Sequence, residues 1–342
     1  MQACRSGAVR AVFSALSLAW LLLAISLGAT AHANEAAAQW IETQALADGS
    51  LATAAEPASR YQSTAEALLA LDWQSAAVTS SATSYLAAQA TTTTESLTRR
   101  ITIAVKAGEP ADTLVADLLA HQNNDGGFGE AQGYHSTALD TALALEALAI
   151  TDRRGTAPAV RALEYLLSVQ SSDGGYHPAA GEPGAAYVTA TVLRAANHFR
   201  TDYNISTVIS RAIAFLDVER QAGASWRDHW ETASALLALA PAGADTLLLA
   251  EASDALRAGQ QANGSWNDSV YVTALAMRAL AALEDMPPPP PVNEGAVSGR
   301  VLDANNGQPV IGATLRTSTG LETTAAMDGS FALAGLSAGS HV

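Results

Sequence analysis

The chain has 342 residues, with 33 acidic side chains against 18 basic ones and a single cysteine, Cys4. So acidic a balance repels nucleic acid and anionic lipid, and neither is an expected partner. One thiol excludes a disulfide scaffold and a multi-cysteine metal site.

Residues 1–33 read as a secretory signal. Arg5 and Arg10 form a positive start, Ala11 to Leu27 carry no charge, and Ala31-His32-Ala33 supplies small residues for cleavage. Cleavage would remove Cys4 and leave 16 basic residues, Lys106 the sole lysine, with no transmembrane anchor. The protein is therefore expected to be secreted, periplasmic or at the cell surface.

From residue 34 the dominant signal is internal repetition. Five segments share Thr-Ala-x-(Ala/Val)-(Leu/Met)-x-Ala-(Leu/Ala), beginning at Thr64, Thr141, Thr189, Thr232 and Thr273. The intervals are 77, 48, 43 and 41, so a worn copy belongs between the first two, and Glu95 to Ala107 fits it. Asp48-Gly49, Asp125-Gly126 and Asp173-Gly174 each precede their threonine by 16 residues. The last two stand in QNNDGGF (Gln122 to Phe128) and QSSDGGY (Gln170 to Tyr176), and QQANGSW (Gln260 to Trp266) is a shorter relative. Such a motif ends a helix, with glycine expected in the left-handed conformation that stops it and the aromatic folded back over it. Further helical stretches precede the turns at Ala111 to Gln122, Thr156 to Gln170, Ser206 to Gln221 and Asp245 to Gln260. Six outer and six inner helices are predicted.

The pairing of Q-x-x-D-G-G-(F/Y) with a T-A-x-A-L helix resembles the repeat of the squalene/terpene cyclase and prenyltransferase β-subunit superfamily. That resemblance implies a mainly α protein, an α/α toroid of about six helix pairs over 34–285, with the inner helices surrounding a cavity.

Counting each threonine as zero, positions 0, +1, +3, +4, +6 and +7 are small or apolar in every clear copy, as packed faces require. Positions −2, −1, +2 and +5 vary and fall on one helical stripe, expected to face the lumen. Tyr187, Trp230, Tyr271, Asp140 and Glu231 gather on it toward the helix starts, with Glu66, Glu146, Arg194 and Arg278 deeper. Aromatic rings beside carboxylates suit an apolar or carbohydrate ligand. The ordinary alternative is that Asp140 and Glu231 favour helix N-termini, while the arginines neutralise Glu66 and Glu146 across the ring.

Squalene–hopene-type cyclases protonate substrate with a D-x-D-D-T-A motif. The resemblance sets Thr137-Ala138-Leu139-Asp140-Thr141-Ala142 against it, leaving only the last aspartate, with Leu139 where the acid would stand. Prenyltransferases bind zinc through Asp, Cys and His, a set that cannot be assembled without the cysteine. The histidines (His121, His135, His177, His198, His229 and His341) show no paired ligand spacing and are expected at turns and helix ends. Neither a metal nor another cofactor is implied. Two carboxylates such as Asp140 and Glu231 offer acid and base for glycan chemistry instead.

The helical pattern stops at a proline run, Pro287 to Pro291, within an expected linker over 286–295. Residues 296–342 then alternate short β-prone runs with glycine turns. Gly299-x-Val301, Gly307-x-Pro309-Val310-x-Gly312-Ala313 and Asp328-Gly329-Ser330-Phe331 resemble a carboxypeptidase-regulatory-like (transthyretin-like) β-sandwich. Such sandwiches have about seven strands and only about four fit, so the chain reads as a fragment carrying a partial β module.

With the catalytic sets of the resembled enzymes missing, the sequence favours an exported, non-catalytic protein. Its cavity or rim would bind a small molecule, a glycan or an envelope protein. The alternatives are a divergent cyclase-like or glycan-acting enzyme using lumen carboxylates, and a structural component of the cell envelope.

Overall fold

The computed structural model describes residues 34–72, 76–178, 182–221, 224–284, 295–303, 310, 312–316, 322–326 and 330–336. The expected signal over 1–33 and the proline run 287–291 lie outside them. The chain divides into two compact units, 1–286 and 287–342.

In the first unit, helix α1 covers 34–43. It is followed by α2 (Arg60–Leu71), α3 (Ala76–Ala88), α4 (Thr94–Ala107), α5 (Asp112–Leu119), α6 (Ala138–Ile150) and α7 (Ala157–Ser168). Then come α8 (Ala186–Asn197), α9 (Ser206–Val218), α10 (His229–Ala242), α11 (Thr246–Ala258) and α12 (Val270–Glu284). The even-numbered helices form the inner wall, each packing on the next, and α12 packs back on α2 to close the ring. The worn second copy is α4, as its spacing predicts. None of the described helices is long and apolar enough to cross a membrane.

The recurring alanine after each threonine explains the close approach of the inner helices. Ala65, Ala142, Ala190, Ala233 and Ala274 are all buried, as are Leu68, Leu145, Leu193, Leu236 and Met277 three residues on.

The threonine itself has a separate task. The hydroxyls of Thr64, Thr141, Thr189, Thr232 and Thr273 accept the backbone N–H of Leu51, Phe128, Tyr176, Trp226 and Trp266, at 2.8–3.1 Å. These N–H groups are buried and would otherwise have no partner, which fixes the residue type in every clear copy. The aromatics fold back as expected, and Trp226 and Trp266 donate their indole N–H to Leu216 and Leu256 on the outer helix just ended.

The turn glycines take the expected positive φ but do not stop the helix. Helix α5 ends at Leu119, well before Gly126, so the glycine does not stop the helix. Gly126 and Gly174 have φ of +89° and +94°, and a Cβ there would lie 2.6 and 2.3 Å from the carbonyl oxygens of Arg161 and Arg211. Each glycine therefore lets one repeat sit directly on the next outer helix. Gln122 and Gln170 brace the same junction, donating both to their own turn and to Pro158 and Val208 on that helix.

Closure of the ring uses a different device. The Glu56 carboxylate, ahead of α2, accepts from the Ser269 hydroxyl and from the N–H groups of Val270 and Tyr271. It thereby caps the start of α12 from the other end of the repeat array, where an anion also meets the positive pole of the helix.

In the second unit, β1 (Gly295–Arg300) pairs antiparallel with β4 (Ser330–Leu336), and β2 (Thr314–Arg316) with β3 (Glu322–Thr324). The protein is thus a mainly α toroid followed by a small partial antiparallel β region.

Candidate functional site

The inner helices enclose a lumen of about 410 Å³. Positions −2, +2 and +5 of the repeats line it, as expected, with Leu237 the exception, including Gln62, Glu66, Leu139, Glu146, Tyr187, Arg194, Trp230, Tyr271 and Arg278. Position −1 does not. Ser63, Val188 and Val272 at that position are buried, and neither Asp140 nor Glu231 is among the lumen-lining residues. A stripe of four positions is too wide for a ring of six helices, because each inner helix must also give up a flank to its neighbour.

Ion pairs fill the deeper half of the lumen. Glu66, 3% exposed, receives Arg99 Nη1 at 2.5 Å on one carboxylate oxygen and Arg278 Nη1 on the other. Burial pushes the Glu66 carboxyl up, but the guanidiniums of Arg278 and Arg99 outweigh it and bring the group down to about 2. Arg99 also donates through Nε to Glu95, reaches the Tyr271 hydroxyl at 3.3 Å and lies 5.6 Å from the Tyr271 ring centroid. Arg194 grips Glu146 with Nε and with Nη2, the latter at 2.9 Å. The expected neutralisation of Glu66 and Glu146 by Arg278 and Arg194 is present, but between adjacent inner helices rather than across the ring. Tyr271, expected at the mouth, is engaged by this cluster through Arg99.

Sequence reasoning found α4 as a helix but assigned it no lumen residues. Glu95, Thr98, Arg99 and Thr102 all line the lumen. The signal was available: setting Leu97 in the threonine position places Glu95, Arg99 and Thr102 at −2, +2 and +5. The same stripe extended by one turn finds Ile150 and His198.

At the helix starts the surroundings differ. Asp140 lies in the first turn of α6, beside lumen-lining Leu139, and accepts the Thr137 hydroxyl at 2.7 Å. Burial raises its carboxyl, Thr137 opposes, and Glu130 and Glu95 raise it further. Glu231, 8% exposed, is also raised by burial, with Arg227 opposing. Asp140 and Glu231 do not form a facing pair on adjacent helices, since α8 packs between α6 and α10 in the ring. The helix that packs directly on α6 and carries an anion at the same level is α4, with Glu95. Tyr187 and Trp230 stand together at the mouth, ring centroids 5.5 Å apart and planes inclined by 36°.

Other histidines serve structure. His121 shares a hydrogen bond with Thr94, His177 with Ser171 and His229 with Asn267. Among the described residues, no three His, Asp or Glu side chains converge to hold a metal ion.

Chemically, the lumen combines Glu66, held ionised by arginine, with aromatic faces, and beside its start stand two carboxyls, Asp140 and Glu231, that burial inclines to keep a proton. That is an arrangement for giving a proton and stabilising the positive charge that follows.

The fold is shared with enzymes. Ent-copalyl diphosphate synthase from Streptomyces platensis is 22% identical with a TM-score of 0.52, over 66% of this chain. This chain spans only 50% of that synthase. A variant of the type II terpene cyclase MstE from Scytonema, in complex with geranylgeranyl dihydroxybenzoate, is 16% identical with a TM-score of 0.60, over 76% of this chain and 99% of that one. An inactive variant of an alpha-1,6-mannanase from Salegentibacter sp. HEL1_6, in complex with alpha-1,6-mannotriose, is 11% identical with a TM-score of 0.59, over 74% and 98%. Identities this low carry the fold. No curated protein matches the chain in sequence. The similar rings of the synthase, the cyclase and the mannanase are those of enzymes, which overturns the expectation of a non-catalytic binding protein in favour of the enzyme alternative. The family model for the prenyltransferase alpha-alpha toroid domain matches residues 1–98 and 66–221, and the chain belongs to that family.

Proposed function

We propose that the protein is an acid-dependent enzyme acting on a glycan held at the mouth of the ring, with Asp140 as proton donor and Glu95 as the facing anion. The observation that carries this reading is the contrast of the two carboxyls on packed helices. Asp140 is raised by burial, while Glu95 is held by the Arg99 guanidinium and the Gln62 amide. A carboxyl that burial inclines to keep its proton, facing one that accepts from a guanidinium and an amide, divides the roles of acid and base or nucleophile. Tyr187 and Trp230 supply stacking faces for sugar rings, and Gln62, Thr98, Thr191 and Ser234 supply hydroxyl and amide groups along the wall. The likeness to a mannanase ring supports the same substrate class. The signal-like residues 1–33 agree with a substrate outside the cytoplasm, and we read the β region as a non-catalytic appended module.

A cyclase-like activity is the second reading. The apolar wall of Leu69, Leu139, Leu143, Ile150 and Leu275 favours it, together with the terpene cyclase rings of the same shape. Leu139 at the acid's place in the motif weighs against it.

The test is incubation of the protein with a panel of oligosaccharides, including alpha-1,6-mannotriose, and separately with a geranylgeranyl substrate. New reducing ends that fall by about 100-fold or more in Asp140→Asn support the glycan reading. Cyclised product would transfer the assignment to the second reading. No product from any substrate, or turnover unchanged in Asp140→Asn, would overturn the role of Asp140.

A further inference from the structure

A second concavity of about 370 Å³ opens beside the lumen mouth, between the loop before α8 and the start of α10. Tyr187 lines both spaces, so one ligand can occupy them together. Glu182, Glu219 and Glu231 line this rim pocket, with Arg227 as its single cation.

Their environments differ in a way that matters. The Glu231 side chain is 9% exposed, whereas that of Arg227 is 68% exposed and stands 3.9 Å away. At that separation the pair is not hydrogen-bonded, and a pair open to water contributes little. No side chain among the described residues is seen to donate a hydrogen bond to Glu231. Only the Arg227 backbone N–H reaches its carboxylate among the described residues, a single neutral donor for a deeply buried anion that also lines the pocket. The lumen itself asks for no further partner, because its Glu66, Glu95 and Glu146 are already matched by Arg99, Arg194 and Arg278.

We propose that the rim pocket is a subsite for an amine-bearing sugar unit, with the ammonium group set between Glu231 and the Tyr187 ring and screened on the solvent side by Glu182. This rests on the glycan reading above and narrows its substrate class to glycans carrying free amino groups. An ammonium suits both walls: it offers three donors to carboxylates, and its charge is attracted by an aromatic face. Neutral sugars gain only the stacking, and an N-acetylated unit has no charge to offer Glu231.

Three ligands separate these terms because they differ in one substituent per ring: tetramers of β-1,4-linked glucosamine, N-acetylglucosamine and glucose. Their binding to the full chain is measured by calorimetry at about pH 6, below the usual range of an amine. The glucosamine tetramer is expected to bind about tenfold or more tightly than the glucose tetramer. That preference is expected to shrink with added salt, to vanish in Glu231→Gln and to weaken in Glu182→Gln, an exposed position whose substitution leaves the fold intact. Binding of the glucose tetramer is expected to be the same in both variants. Equal affinity for the three tetramers, or a preference that survives Glu231→Gln, would overturn the amine subsite while leaving the glycan reading standing. Failure of all three to bind a protein with an unchanged melting transition would overturn the subsite and count against the glycan reading as well.

Discussion

The deep lumen and its mouth are built from the same helices and the same residue types, yet their charges have opposite fates. In the depth, Glu66 and Glu146 meet arginines from neighbouring inner helices. At the mouth, Asp140 accepts from the Thr137 hydroxyl and Glu231 has the backbone N–H and the exposed guanidinium of Arg227 nearby, and burial is the largest cause acting on each carboxyl. Charge that is neutralised in place holds a ring together. Charge left short of partners is available for chemistry.

Breaking the deep cluster has the largest expected effect. Glu66→Ala takes from Arg278 its carboxylate and leaves Arg99 with Glu95 alone, and is expected to cost about 3–5 kcal/mol in denaturant unfolding. The same pair sets a pH dependence. A carboxyl whose folded value is depressed contributes stability above its ordinary range and loses it as the proton binds. Stability is therefore expected to fall from the ordinary glutamate range down toward pH of about 2. Glu66→Gln is expected to flatten that limb, as followed by circular dichroism at graded pH.

The repeat threonines come next. Thr141→Val removes the acceptor for the buried Phe128 N–H and is expected to destabilise by about 1–3 kcal/mol without altering the lumen. Equal loss on placing valine at Thr232 would extend the result to the Trp226 turn.

The mouth is expected to respond in the other direction. Asp140 has a raised carboxyl, so the folded protein holds that proton more tightly than the unfolded chain, and its contribution to stability weakens as pH rises past the ordinary aspartate range. Asp140→Asn is expected to leave the melting temperature at neutral pH unchanged or slightly higher. A melting temperature well below that of the parent would place Asp140 with the structural charges of the depth.

Much of this was legible in the sequence, for physical reasons that differ by residue. Threonine recurs because it alone offers a β-branched body and an acceptor to a buried N–H, so its spacing announced five inner helices. That Arg194 and Arg278 neutralise Glu66 and Glu146 followed from their complementary charge on the same stripe; which arginine meets which glutamate, and that each pair joins adjacent helices, did not. Helix α4 was recognised as a helix but not as a wall of the lumen. Its Leu97 replaces the marker threonine, so Glu95 and Arg99 had no register. The exclusion of position −1 from the lumen was not legible either. It depends on how far neighbouring helices rotate into contact, which no single helix encodes. The turn glycines were found for a different reason than the one they serve, because their close neighbours, Arg161 and Arg211, lie on a later helix.

The most direct test of the contrast is a carbon-13 NMR titration of the aspartate and glutamate side-chain carboxyls, assigned through Asp140→Asn, Glu231→Gln and Glu66→Gln. Glu66 is expected to remain ionised down to pH of about 2, while Asp140 and Glu231 take up protons above the ordinary carboxylate range. Titration of Asp140 and Glu231 at or below ordinary values, with Glu66 no lower than they are, would contradict the division between a neutralised depth and a proton-holding mouth.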